Sequence, residues 1–126
     1  MKNVFISIAA FIIMVLIMCL SMSYLNNASL KLQAISTEIE EAIKNENWEK
    51  AYASSVDFTN RWNNCTPIIK LFVNHQEIDN VEMELQKLPS FIKENTKDEA
   101  SASSQTLDFL IKHISNLEKV NIQNIF

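Results

Sequence analysis

The chain has 126 residues, no glycine, two prolines, two cysteines and a formal net charge of −4. Without glycine there is no phosphate-cradling loop and little provision for tight β-turns, so the composition points to an all-α fold and away from nucleotide binding. The acidic excess disfavours nucleic acid as a partner, and Cys19 and Cys65 lie in segments too different to form a disulfide framework.

The first element is the apolar run from Val4 to Met22, which no charge interrupts; Lys2 precedes it and Lys31 is the next charge. About 20 apolar residues in a helix cross the hydrocarbon core of a bilayer. The run is too long for the core of a cleaved signal, although Ser21-Met22-Ser23 offers a small-x-small site. Met18 before Cys19 fits a lipoprotein signal poorly. An uncleaved signal-anchor over residues 1–24 is therefore expected, with a helical domain over 25–126. The lone Lys2 favours a cytoplasmic N-terminus, which places the domain outside the cell membrane, C-terminal to a single span.

Four helical segments follow from periodicity. No proline or glycine interrupts the chain before Thr66, so the span is expected to continue as helix. Leu25, Ala28, Leu32, Ile35, Ile39 and Ala42 recur at the three- and four-residue spacing of one helix face. Asn45 or Asn47 is suited to cap the next helix, predicted from Trp48 to about Asn63, with Trp48, Ala51, Tyr52, Ser55, Phe58 and Trp62 on one face. Asn63-Asn64-Cys65-Thr66-Pro67 reads as a turn, with Thr66 as N-cap and Pro67 as the first residue of a third helix. That helix would bury Ile68, Leu71, Phe72, His75, Ile78, Val81, Leu85 and Leu88, and Pro89 would end or kink it. Thr96 and Glu99 have capping-box spacing before a fourth helix reaching about Val120, striped by Ala100, Ser103, Leu107, Leu110, Ile111, Ile114 and Leu117. The tail from Val120 to Phe126 is apolar and is expected to pack on the domain or bind a partner. The sum is a transmembrane helix followed by an antiparallel four-helix bundle or two stacked helical hairpins.

Few residues offer chemistry. Trp48 and Trp62 point the same way nearly four turns apart, as core or as an aromatic platform for a ligand. His75, Asp79 and Glu82 share a helix face at metal-ligand spacing, but three ligands on one helix without a second donor helix make a poor closed site. His75 is accordingly expected at the edge of the core, holding a hydrogen bond. His113 has no carboxylate three or four residues away. No nucleophile elbow or catalytic set is present, so no enzyme activity, cofactor or metal is expected.

The span, the pair Trp48-x-x-Ala51 and Trp62, and the run Asn74-His75-Gln76-Glu77-Ile78-Asp79 resemble a family of small membrane-anchored helical proteins of clostridia and related Firmicutes, a domain of unknown function. The resemblance implies an all-helical extracytoplasmic module, with Trp48, Trp62, His75, Glu77 and Asp79 as its motif residues, and small multi-span membrane proteins as companions. The expected role is a binding or accessory module acting through protein–protein contacts at the membrane. The rival is a ligand-sensing module using the Trp48/Trp62 face. A sensor needs a cytoplasmic output, and two residues ahead of the span supply none, which favours the accessory role.

Overall fold

The computed structural model describes residues 1–125, with side chains through Leu117. It contains α1 (Lys2–Lys44), α2 (Trp48–Ile69), α3 (His75–Lys93) and α4 (Lys97–Ile125), with no strand among the described residues. The helices pack in a closed ring: α1 lies against α2 and α4, and α3 against the same two. Short connections at Asn45–Asn47, Lys70–Asn74 and Glu94–Thr96 make sequential neighbours antiparallel. The arrangement is therefore a four-helix bundle rather than two stacked hairpins.

The expected stripes of α1 and α4 are the ones that fill the core. Leu25, Leu32, Ile35, Ile39 and Ala42 are buried on α1, and Ala100, Ser103, Leu107, Ile111 and Ile114 on α4. Each large aliphatic or aromatic side chain so buried contributes about 1.5–3 kcal/mol. Small buried residues cluster where α2 and α4 begin: Ala51, Ser54 and Ser55 on one, Ala100, Ser103 and Ser104 on the other. With no branched side chain between them, the backbones have room to approach α1, where Ser36 is also buried. Below Leu25, α1 continues without a break as a helix whose apolar side chains from Val4 to Leu20 are exposed, apart from half-buried Val15 and Met18.

The glycine-free chain still needs left-handed residues to stop its helices. Glu46 and Asn95 supply them, each with φ of 56°. At both sites two amides turn back to the helix they leave: Glu46 N–H to Ile43 O and Asn47 N–H to Ala42 O, then Asn95 N–H to Ile92 O and Thr96 N–H to Phe91 O. This is the Schellman closure, and it satisfies the last carbonyls of α1 and α3. Asn47 then caps α2 by accepting from Lys50 N–H at 3.3 Å. Thr96 departs from the capping box: its hydroxyl donates 3.1 Å back to Phe91 O.

One boundary differs from expectation. The segment Asn63–Pro67 is not a turn, and Cys65 is not in a loop. Helix α2 runs through Pro67 to Ile69, and α3 starts at His75, capped by Asn74, whose side chain accepts from Gln76 N–H. Continuing the helix buries Cys65, Thr66 and Ile69. The carbonyl that Pro67 leaves without its usual donor belongs to Asn63, on the exposed side where water reaches it. Thr66 Oγ1 donates to Trp62 O and fixes the turn before the proline. With α3 beginning later, Leu71, Phe72 and His75 leave the expected stripe and are exposed, while Val73 takes a core position. Pro89 does not end α3, which continues through it to Lys93. The side chains of the tail, Val120 to Phe126, lie outside the described residues.

Candidate functional site

The residues singled out by sequence do not assemble into one site. Trp62 is 1% exposed and belongs to the core. Its ring borders a small void shared with Leu25, Ser29, Leu32, Ile69, Ile111 and Ile114. The indole Nε1 is buried without a hydrogen-bond partner among the described residues. Trp48 is half-buried against the core at the far end of α2. The two tryptophans thus form no shared exposed platform. The accessible aromatic of this face is Tyr52, with Lys93 Nζ 5.1 Å from its ring centroid.

His75 is the first residue of α3 and is exposed, so the expected place at the core edge is corrected. The helix starts at that residue, and no neighbouring helix covers it. Asp79 is exposed too, while Glu82 is half-buried beside Trp62 in the groove between α2 and α3. Among the described residues, no group of three or more histidine, cysteine or acidic side chains converges as metal ligands would.

The cross-helix polar contacts involve one of the motif residues, Glu77, and pairings that sequence spacing did not mark. Glu77 is half-buried and meets His113 Nε2 at 3.6 Å, joining α3 to α4, and the His113 ring stacks on Phe109 with centroids 6.0 Å apart. Ser103 Oγ donates to Glu84 Oε2 at 2.8 Å across the same pair of helices. On the other side, Glu40 of α1 faces Asp108 and Lys112 of α4, and Lys112 Nζ contacts Asp108 Oδ2 at 2.6 Å.

Burial raises the Glu40 carboxyl above its ordinary range; Asp108 raises it further and Lys112 partly offsets this. The hydrogen bond that the Lys112 ammonium donates to Asp108 likewise holds Lys112 above its ordinary value. The sign for Glu40 is fixed by linkage. The folded state holds this proton more tightly than the unfolded state does, so stability is lost as pH rises from the ordinary carboxylate value through the raised one. Glu40→Gln removes that loss. In parallel melts, the variant is expected to be more stable than the parent at neutral pH and equal to it well below pH 4.5, the reference value for a free glutamate. A parent that gains on the variant as pH rises would show that Glu40 is stabilised by Lys112 instead.

Grooves between neighbouring helices are open on two sides of α2 among the described residues. The α2–α3 groove encloses about 300 Å³ and is lined by Thr59, Asn63, Glu82 and Gln86 beside Trp62. The α1–α2 groove encloses about 310 Å³ and collects Tyr24, Asn27, Lys31, Arg61 and Asn64 over Cys65. Cys65 itself is buried, and its Sγ donates to Trp62 O at 3.4 Å.

The profile of one protein family matches residues 19–125, which takes in the whole bundle and the last residues of the apolar run. The chain belongs to the DUF4363 family. That family is a domain of unknown function, in keeping with the resemblance carried by Trp48, Trp62 and the His75 run. No curated protein and no solved structure matches the chain. In this DUF4363 member the motif residues divide by role: Trp62 builds the core, Glu77 ties α3 to α4, and His75 and Asp79 face solvent.

Proposed function

We propose that this DUF4363 protein is a single-span membrane protein whose helical bundle stands outside the cytoplasm and serves as a binding or accessory module for a membrane-protein partner. The observation that carries the reading is α1. Its lower half is apolar, exposed and long enough to span, and it continues without a break into the helix that forms one wall of the bundle. An exposed apolar helix of this length is stable in lipid, where its own backbone bonds satisfy every amide. Lys2 at the N-terminal end of the run favours a cytoplasmic N-terminus, the orientation with the bundle outside. The reading takes the chain as one of the membrane-anchored proteins of clostridia and related Firmicutes, as the resemblance implies. It assigns no catalytic chemistry to the bundle. The ligand-sensing alternative through the Trp48/Trp62 face is less supported, because Trp62 presents no ring face to a ligand.

The test is retention. The full chain should stay with membranes through an alkaline carbonate wash. The Ile12→Lys, Ile13→Lys variant should be released, since each lysine near the middle of a span costs about 2.5–3.5 kcal/mol. Recovery of the native chain in the soluble fraction without its apolar run would replace the anchor with a cleaved signal. A cysteine introduced at exposed Met83 reports which side the bundle occupies by reaction with an impermeant thiol reagent on whole cells. Buried Cys65 is unsuitable as that reporter. Crosslinking in native membranes should capture a membrane-protein companion.

A further inference from the structure

The three connections of the bundle are unlike in composition. Asn45-Glu46-Asn47 and Glu94-Asn95-Thr96, at the end far from the apolar run, carry no apolar side chain. Lys70-Leu71-Phe72-Val73-Asn74, at the near end, carries three. Of these, Val73 is buried, whereas Leu71 is 76% and Phe72 36% exposed. The turn is not slack: Leu71 N–H bonds to Ile68 O, and the Phe72 and Val73 amides both bond to Ile69 O. Two large apolar side chains are thus held outward by a fixed backbone.

Their level along the bundle axis is set by α1. Ile69 and Leu25 border the same small void, and Cys65 shares a groove with Tyr24. The turn after Ile69 therefore lies level with the stretch where the run Val4 to Met22 ends, within about one helical turn. Tyr24, 44% exposed, sits at that level, the position favoured by interfacial aromatics.

We propose that the α2–α3 turn is a second membrane contact, in which Leu71 and Phe72 enter the headgroup layer beside α1 and nearby cations favour acidic phospholipid. The inference rests on the reading of Val4 to Met22 as a span. Lys70 is exposed within the turn, and Lys31 and Arg61 line the adjoining groove. Lys31 lies about 13 Å along α1 from Met22, so a lysine side chain directed downward falls within a Debye length of the headgroups. Arg61 shares its charge with Asp57 at 3.3 Å. Among the described residues the acids near this end stand on α3: Glu77, beside His113, exposed Asp79, roughly 7 Å further from the membrane than Asn74, and half-buried Glu82, about one helical turn further still. The turn and the α1–α2 side are cationic although the chain is acidic overall, and an acidic lipid surface complements them. A bilayer is favoured over a separate protein because the span holds the turn at the lipid surface permanently, which makes the contact intramolecular in effect.

The test uses the full chain in vesicles, with Cys19→Ala to remove the exposed thiol and buried Cys65 left in place. An environment-sensitive fluorophore is attached to Leu71→Cys, Ile12→Cys or Met83→Cys, each checked for unchanged helical circular dichroism, and quenched by acyl-brominated lipid. Labels at Leu71 and Ile12 are expected to be quenched and that at Met83 not, with Leu71 quenched more in vesicles containing phosphatidylglycerol than in phosphatidylcholine alone. A Leu71 label as unquenched as Met83 beside a quenched Ile12 label overturns the second contact and leaves the span. An unquenched Ile12 label overturns the span and this inference with it. A blue-shifted but unquenched Leu71 label that reverts on diluting protein into lipid assigns the turn to a second copy of the chain instead. Equal quenching in both lipids removes the role of the cations.

Discussion

Trp62→Ala is expected to destabilise the bundle by about 3–5 kcal/mol, the range for removing a buried large aromatic. Trp62 is 1% exposed and stands where α1, α2 and α4 meet, against Leu25, Leu32, Ile111 and Ile114. Truncation enlarges a void already present there, and the surrounding helices are tied by their own backbones and cannot collapse into it. Trp62→Phe separates the ring from its polar atom. Phenylalanine keeps most of the apolar volume and deletes an N–H that is buried without a partner, whose desolvation already costs the folded state about 1–3 kcal/mol. The phenylalanine variant should therefore lose far less than the alanine variant. Thermal and denaturant melts of the full chain in mild detergent, followed by far-ultraviolet circular dichroism, measure both. A change within about 0.5 kcal/mol for Trp62→Ala, as at ordinary surface positions, would take the ring out of the core.

Pro67→Ala is expected to act in the opposite direction and stabilise the chain by about 1–3 kcal/mol. A proline within a helix costs about 3 kcal/mol relative to alanine, through the lost amide and the clash with the carbonyl four residues back. Pro67 is exposed, so its ring contributes little packing, and the helix passes it regardless. Part of the gain is offset because alanine leaves the unfolded chain freer than proline does. The same melts read this variant. A loss of stability would show that the proline at position 67 is needed to set Cys65 and Ile69 into the core and to start the turn that presents Leu71. That outcome would itself draw the labelled-turn experiment and the stability of α2 together.

The composition and periodicity of the chain determine most of the architecture. An unbroken apolar run and a glycine-free remainder lead to one long exposed helix and an all-α bundle. The stripe from Leu25 to Ala42 identifies its own buried face, because a helix without breakers orients its side chains by its own 3.6-residue repeat. The stops after Lys44 and Lys93 are local as well, closed by amides within a few residues. Thr66-Pro67 shows where local chemistry is ambiguous. A proline at the start of a helix and one crossed near its end present the same residues, and the choice turns on what the continuation buries. Burial of Cys65, Thr66 and Ile69 against other helices decides it, and the phase of α3 follows, moving His75 and Leu71 to the surface. The pairs His113–Glu77, Ser103–Glu84 and Glu40 with Asp108 were equally out of reach of spacing rules. Their partners lie on different helices, and they meet only once the packing of large and small core residues has fixed each helix's rotation and height against its neighbours.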